Sequence, residues 1–178
     1  MFILVRVSPA PSLPRILINA DMLHDADAWA KRVAMRRTKA SPIDALAGVL
    51  GEMIFAQYLF GNWRKHQLGA NKGKSDFGTI EVKTSATPFS PRLHLLVRED
   101  YARKRKPLCT VQIVVDVARD ARQIPINTFA MLCGYATSAE IDAAPLKDFG
   151  SKFGGDGGYR CHYIPISQLH PIGELRLV

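Results

Sequence analysis

Residues 75–85, running from Ser75 to Ser85, read SDFGTIEVKTS. Side chains of a strand alternate between its two faces. In the run from Thr79 to Lys83, the residues Thr79, Glu81 and Lys83 therefore share one face. Ile80 and Val82 share the other and can enter a core. If Phe77 and Gly78 form a two-residue turn, Asp76 sits opposite Thr79 on the charged face. Phenylalanine is a poor first residue for such a turn, so the alternative is a bulged turn with Gly78 in the left-handed position. On the simple register Asp76, Glu81 and Lys83 converge on one patch. One reading is a solvated hairpin with an ion pair between Glu81 and Lys83. The other is a metal site with an attached lysine. Two carboxylates a few ångströms apart repel unless a cation lies between them. A hard divalent ion takes few protein carboxylates and keeps positions for water and a phosphate oxygen. Metal-bound water is acidified, and a neighbouring lysine can orient that water or neutralise charge building on phosphorus.

Upstream, Ser41 and Pro42 suit an N-cap and first helical residue. The helix they open, Pro42 to about Phe60, is apolar almost all round and is expected to be buried. From Ala45 to Phe60 its only charged residue is Glu52. Burying an unpaired carboxylate is expensive. Glu52 therefore either reaches the edge or an arginine, or it is a third carboxylate aimed at the same patch. Gly48 and Gly51 beside it leave room for close approach of a sheet or ligand.

The sequence GEMIFAQYL (51–59) on a helix, then SD (75–76), then IEVKTS (80–85), resembles the PD-(D/E)XK nuclease superfamily, also called restriction-endonuclease-like. The resemblance spans about residues 42–117. It implies an α/β (α+β) fold with an αβββαβ core, a central mixed sheet flanked by helices, and the signature on the second and third core strands. It implies Asp76 and Glu81 as metal ligands, joined by the Val82 carbonyl, with Lys83 as the catalytic lysine. Glu52 matches the acid that many members carry on the helix. The implied cofactor is Mg²⁺ or Mn²⁺, and the implied activity is phosphodiester hydrolysis, with DNA the expected substrate and RNA left open. Ser75 stands where the nominal proline would be. Four residues separate Asp76 from Glu81, which demands a tight turn. No Q-x-x-x-Y element follows, which disfavours the exonuclease branch that carries it.

The remaining chain reads as a single domain. A helical part covers about 21–40, the catalytic core about 42–117, and a C-terminal extension about 124–178. A short strand is expected at Phe2 to Val7, strands around Asp76 to Thr84 and from Leu93 to Arg98, and a buried central strand at LCTVQIVVDV (108–117). Gln112 on that strand either caps it or orders a site water. Further strands are expected at Thr128 to Ala136 and Tyr159 to Ile166, with a short helix at Ser138 to Ala144. FGSKFGGDGG (149–158) is a loop without the spacing of a phosphate-binding P-loop.

The 178 residues hold 24 Lys and Arg against 16 Asp and Glu, a net charge of +8. That balance favours a polyanionic partner. Basic residues fall in three groups. The first is Lys31, Arg32, Arg36, Arg37 and Lys39; the second is Arg64, Lys65, His66, Lys72 and Lys74; the third is Arg98, Arg103, Lys104, Arg105 and Lys106. Each alone reads as a solvated face. Together, flanking a phosphodiesterase signature, they suggest a nucleic-acid groove. The three cysteines are far apart, lack a C-x-x-C pair and suit a reducing, cytoplasmic setting. No stretch reads as a signal peptide or membrane span, so no membrane partner is expected, and a homo-oligomer is compatible with the sequence. Two rivals remain. One is a catalytically silent nuclease fold serving as a nucleic-acid-binding or assembly protein. The other is a binder of acidic surfaces that uses only the charge.

Overall fold

Ser41 opens the longest helix by accepting the Asp44 N–H on its hydroxyl, with Pro42 in the first turn where a missing N–H costs nothing. This helix, α2 (Pro42–Phe60), ends at Gly61, whose φ of 63° is the left-handed C-cap glycine tolerates best. A computed structural model describes residues 13–34, 41–69, 74–104, 107–150 and 158–176, with positions 33, 34, 101, 103 and 104 through the backbone alone. The strand expected at Phe2 to Val7 lies outside the described residues.

The chain before α2 contributes β1 (Arg15–Leu17) and α1 (Ala20–Ala34). After α2 come β2 (Ile80–Ala86), β3 (His94–Arg98), α3 (Glu99–Lys104), β4 (Cys109–Val115), β5 (Phe129–Thr137), α4 (Ser138–Ala143), β6 (Leu146–Asp148) and β7 (Arg160–Pro165). The protein is mixed α+β. Its main sheet has the order β1-β5-β4-β2. β4 runs parallel to β2 and antiparallel to β5, and every residue of β4 is buried. That matches the near-continuous apolar run of a strand covered on both faces. A second, antiparallel sheet has the order β3-β7-β6. The C-terminal segment is therefore woven into both sheets: β5 lies beside β4, and β7 pairs with β3.

Each face of the main sheet has its own core. On one face Ile80, Val82, Val111 and Ile113 pack with Leu50, Met53, Ile54 and Phe55 of α2 and with Met22 and Ala26 of α1. On the other, Ala136 of β5 packs with Leu95 and Val97 of β3 and Ile141 of α4. Val114, Met131 and Cys133 continue that face against Ile166. The layers run helices, main sheet, small sheet. By length and a mean hydropathy of 1.4, α2 alone among the described helices could cross a membrane, contrary to the reading of the sequence. Here Ala47, Val49, Leu50 and Met53 to Ala56 are buried in the protein's own interior.

At Gly51 the helix leaves no room for a side chain against the sheet. A Cβ there would lie 1.7 Å from Oγ1 of Thr84. Gly48, expected to offer similar room, faces open space with nothing within 4 Å. The two glycines should respond to alanine with opposite sign. Gly48→Ala should stabilise the fold by about 0.5–1 kcal/mol through helix propensity. Gly51→Ala should destabilise it by about 1–3 kcal/mol through overpacking, with part of the loss recovered by adding Thr84→Ala. Urea melts of the variants test this; equal shifts at both positions would contradict the packing.

Candidate active site on the edge strand β2

The turn before β2 decides where its acids stand. Phe77 and Ile80 exchange both backbone hydrogen bonds, Phe77 N–H to Ile80 O and Ile80 N–H to Phe77 O, each 2.9 Å. The two turn residues are therefore Gly78 and Thr79, not Phe77 and Gly78. Gly78 has a φ of 59°, at the first central position where a II′ turn places glycine. Phe77 cannot be a turn residue because it is buried, edge-on to Phe55 with ring centroids 5.1 Å apart. Two strands were expected around residues 76–84; the structure has one, with only the bridge between Phe77 and Ile80 preceding it.

This shifted register folds Asp76 back onto β2. Its Oδ2 accepts the Val82 N–H at 2.8 Å. The N–H and C=O of one strand residue point to the same side. The Val82 carbonyl thus points toward the edge that Asp76 occupies, away from β4. Asp76 and the Val82 carbonyl share one edge of the strand.

Glu81 and Lys83 lie on the face turned away from α2, as the alternation predicted. Glu81 is 6% exposed, and its Oε2 is shut off from solvent. Its Oε1 accepts from the Lys83 Nζ at 2.7 Å. The Lys83 side chain keeps 30% of its surface, so its head sits at an opening. That opening is a small cavity under α3 and α4, lined by Glu81, Lys83, Thr110, Ser138, Ile141 and Asp142 among others. Its water-accessible space is about 20 Å³, enough for a water or a bare ion and too small for a nucleotide. Any polynucleotide would have to lie across its mouth.

Glu52 is half-buried on α2, one residue past the Gly51 contact with Thr84, and its Oε2 is also shut off from solvent. It does not line the cavity that holds Glu81 and Lys83. Among the described residues no three His, Cys, Asp or Glu side chains gather as a ready-made metal cage. The carboxylates of Asp76 and Glu81 and the Val82 carbonyl are hard oxygens of the kind Mg²⁺ and Mn²⁺ prefer. Gln112, opposite Lys83 in the register, spends its amide N–H on the Ile113 carbonyl at 2.8 Å, beside the β4 bulge. It caps the strand.

The basic groups separate. Lys31 pairs with Asp27 at 2.6 Å and Arg64 approaches Asp25 at 3.9 Å, so both are held within the helical layer, as is Arg32 over the ring of Trp29. Lys65 lies over the ring of Phe60. Lys74 is exposed just ahead of Asp76. Arg103 and Lys104 belong to α3, whose Ala102 lines the cavity. Arg36, Arg37, Lys39, Lys72 and Arg105 lie outside the described residues. The cysteines take no part: Cys109, Cys133 and Cys161 are free and buried. Burial pushes the Cys109 thiol up to about 11 and the Cys133 thiol to about 12, so neither is a nucleophile at neutral pH.

Thr110, Ser138 and Asp142 were not singled out from the sequence. Thr110 could have been, since it pairs with Glu81 in the ladder once β2 and β4 are taken as parallel neighbours. For Asp142 no local signal exists. No protein family, curated protein or solved structure matches this chain.

Asp76 has a structural duty that can be told from a chemical one. Asp76→Ala leaves the Val82 N–H without its acceptor and should cost about 1–2 kcal/mol. Asp76→Asn keeps an acceptor oxygen and should stay within about 0.5 kcal/mol of the parent. Equal thermal melts for Asp76→Ala and the parent would show that the bond to Val82 carries no weight.

Proposed function

We propose that this chain is a Mg²⁺- or Mn²⁺-dependent nuclease that hydrolyses phosphodiester bonds in DNA, with a restriction-endonuclease-like core. The observation that carries this reading is the arrangement on β2. A glycine turn folds Asp76 onto Val82, while Glu81 and Lys83 form a close pair on the adjoining face. A solvated hairpin would leave Glu81 exposed, and it is buried. On this reading α2 would be the helix with its acid, β2 the signature strand, and α3 the crossover to the parallel neighbour β4. Three features depart from the αβββαβ pattern: only two strands separate α2 from α3, β2 lies at the edge of the main sheet, and β3 pairs in the second sheet.

Asp76, Glu81 and the Val82 carbonyl would hold the cation, with Glu52 as a further acid from α2. When bound, the cation would acidify a water and polarise the phosphoryl oxygens. The remaining work falls to the chain. Lys83, at the cavity mouth, can leave Glu81 for a non-bridging oxygen of the phosphate and neutralise the charge that grows there. The burial of Glu81 removes competing water from that exchange. Exposed Lys74, and Arg103 and Lys104 at the C-terminal end of α3, would take backbone phosphates.

A second reading, a nuclease fold that binds nucleic acid without cutting it, is favoured by the absence of a three-carboxylate cage among the described residues. Linear, circular, single-stranded and branched DNA, each with and without Mg²⁺ or Mn²⁺, separate the two. The nuclease reading expects cleavage only with metal. Asp76→Asn and Glu81→Gln should abolish it. Lys83→Ala should lose on the order of 10²-fold in rate while retaining DNA binding, because the lysine acts on the transition state. Salt-sensitive binding without cleavage of any substrate would leave the silent reading in its place.

A further inference from the structure

The cavity beside Lys83 contains an acid that the nuclease signature does not supply. Asp142, on α4, lines the same small space as Glu81 and Lys83. It is separated from Glu81 by sixty residues of chain and comes from the C-terminal part, outside the stretch that bears the signature.

The fold fixes its position. The Ser138 hydroxyl donates to the Pro107 carbonyl, and the Ser138 N–H donates to the Leu108 carbonyl at 3.1 Å. These bonds pin the start of α4 to the segment leading into β4. Thr137 and Glu140 close a capping box, with the Thr137 N–H donating to the Glu140 carboxylate at 2.8 Å. Ile141, one residue before the acid, is buried against Leu95, Val97 and Ala136. With the first turn capped and Ile141 anchored, the backbone of α4 holds Asp142 at the cavity, where its side chain is exposed.

Helix stability does not explain the residue. Asp142 lies in the last turn of α4, where the exposed carbonyls disfavour negative charge and a basic residue would be the stabilising choice; that turn has none. Among the described residues no ion pair or hydrogen bond uses its carboxylate. What it does change is the charge of the cavity. Among the described lining residues, Glu81 and Lys83 offset each other and Asp142 adds one negative charge. A polyanion approaching Lys83 then meets a carboxylate, and a divalent cation meets a net attraction.

We propose that Asp142 is a positioning residue of the site: it draws a divalent cation to the cavity mouth and makes the docking of the DNA backbone beside Lys83 depend on that cation. This inference rests on the nuclease reading of the Glu81–Lys83 site and adds to it an acid from α4. In a chain of net charge +8, such an acid would let DNA concentrate nearby while withholding the last contact until metal is present.

The test uses the full chain and two readouts besides cleavage. In the first, Mg²⁺ alone is titrated and the melting temperature followed, since a ligand of the native state raises it by mass action. In the second, a short fluorescent DNA duplex is titrated in EDTA. Asp142→Asn should raise the Mg²⁺ concentration for half-maximal stabilisation by roughly 10-fold, the scale of losing a supporting carboxylate. It should tighten metal-free duplex binding by roughly 3–10-fold, the scale of removing one like charge near a phosphate. Its melting temperature in EDTA should equal or exceed the parent's, and Asp142→Glu should restore both readouts. Asp120→Asn, in the exposed turn beyond the far end of β4, should change neither. If the parent responds to Mg²⁺ and Asp142→Asn matches it in both readouts, the role of Asp142 is wrong and the nuclease reading stands. If the parent itself shows no response to Mg²⁺, the nuclease reading fails and this inference with it.

Discussion

The contact of Gly51 with Thr84 is the constraint on which the rest of the site depends. It brings α2 against β2 closely enough that one face of the strand is committed to the apolar interior. Strand alternation then leaves no choice for the other residues. Ile80 and Val82 go under the helix, and Glu81 and Lys83 are turned to the opposite side, where the small sheet and α4 enclose them. A larger residue at 51 would lift the helix, and the burial that distinguishes Glu81 from an ordinary surface acid would be lost.

The edge position of β2 supplies the second half of the geometry. β4 occupies one side of the strand. On the other, the turn at Gly78 and Thr79 brings Asp76 into the place a neighbouring strand would take, and its carboxylate accepts a backbone N–H that such a strand would have bound. An edge that would invite pairing with another chain is thereby covered by charge. The same device gathers oxygen donors at one point, which is why a structural feature of the edge and a candidate cation site coincide.

The elements legible in the sequence were those whose signals are local. α2 announced itself through Ser41, Pro42 and a run apolar almost all round, and its ends fall where those residues place them. β4 was readable as a continuous apolar stretch, and the alternation from Thr79 to Lys83 gave the correct face for each side chain. The simple register misplaced the turn by one residue. The poor turn preference of Phe77 already spoke against it and put Gly78 in the left-handed region, where it lies. The burial of Phe77 against Phe55 is the tertiary fact that fixes the register. The second sheet was not legible at all. β3 pairs with β7 across more than sixty residues, and nothing in either segment names its partner. Asp142 was hidden for the same reason, since an acid on a six-residue helix looks like any surface residue until α4 is seen against β2. The grouping of basic residues by sequence was also too coarse, because Asp25 and Asp27 approach members of the first two groups within the helical layer.

The claim at the centre of this account is that the edge of β2 is a divalent-cation site. Crystals grown with Mn²⁺, measured at a wavelength where manganese scatters anomalously, test it directly. The account predicts an anomalous peak bounded by the carboxylates of Asp76 and Glu81, and its loss in Glu81→Gln crystals grown in the same way. Well-ordered Asp76 and Glu81 side chains with no peak between them at saturating Mn²⁺, or a peak that survives unchanged in Glu81→Gln, would contradict it.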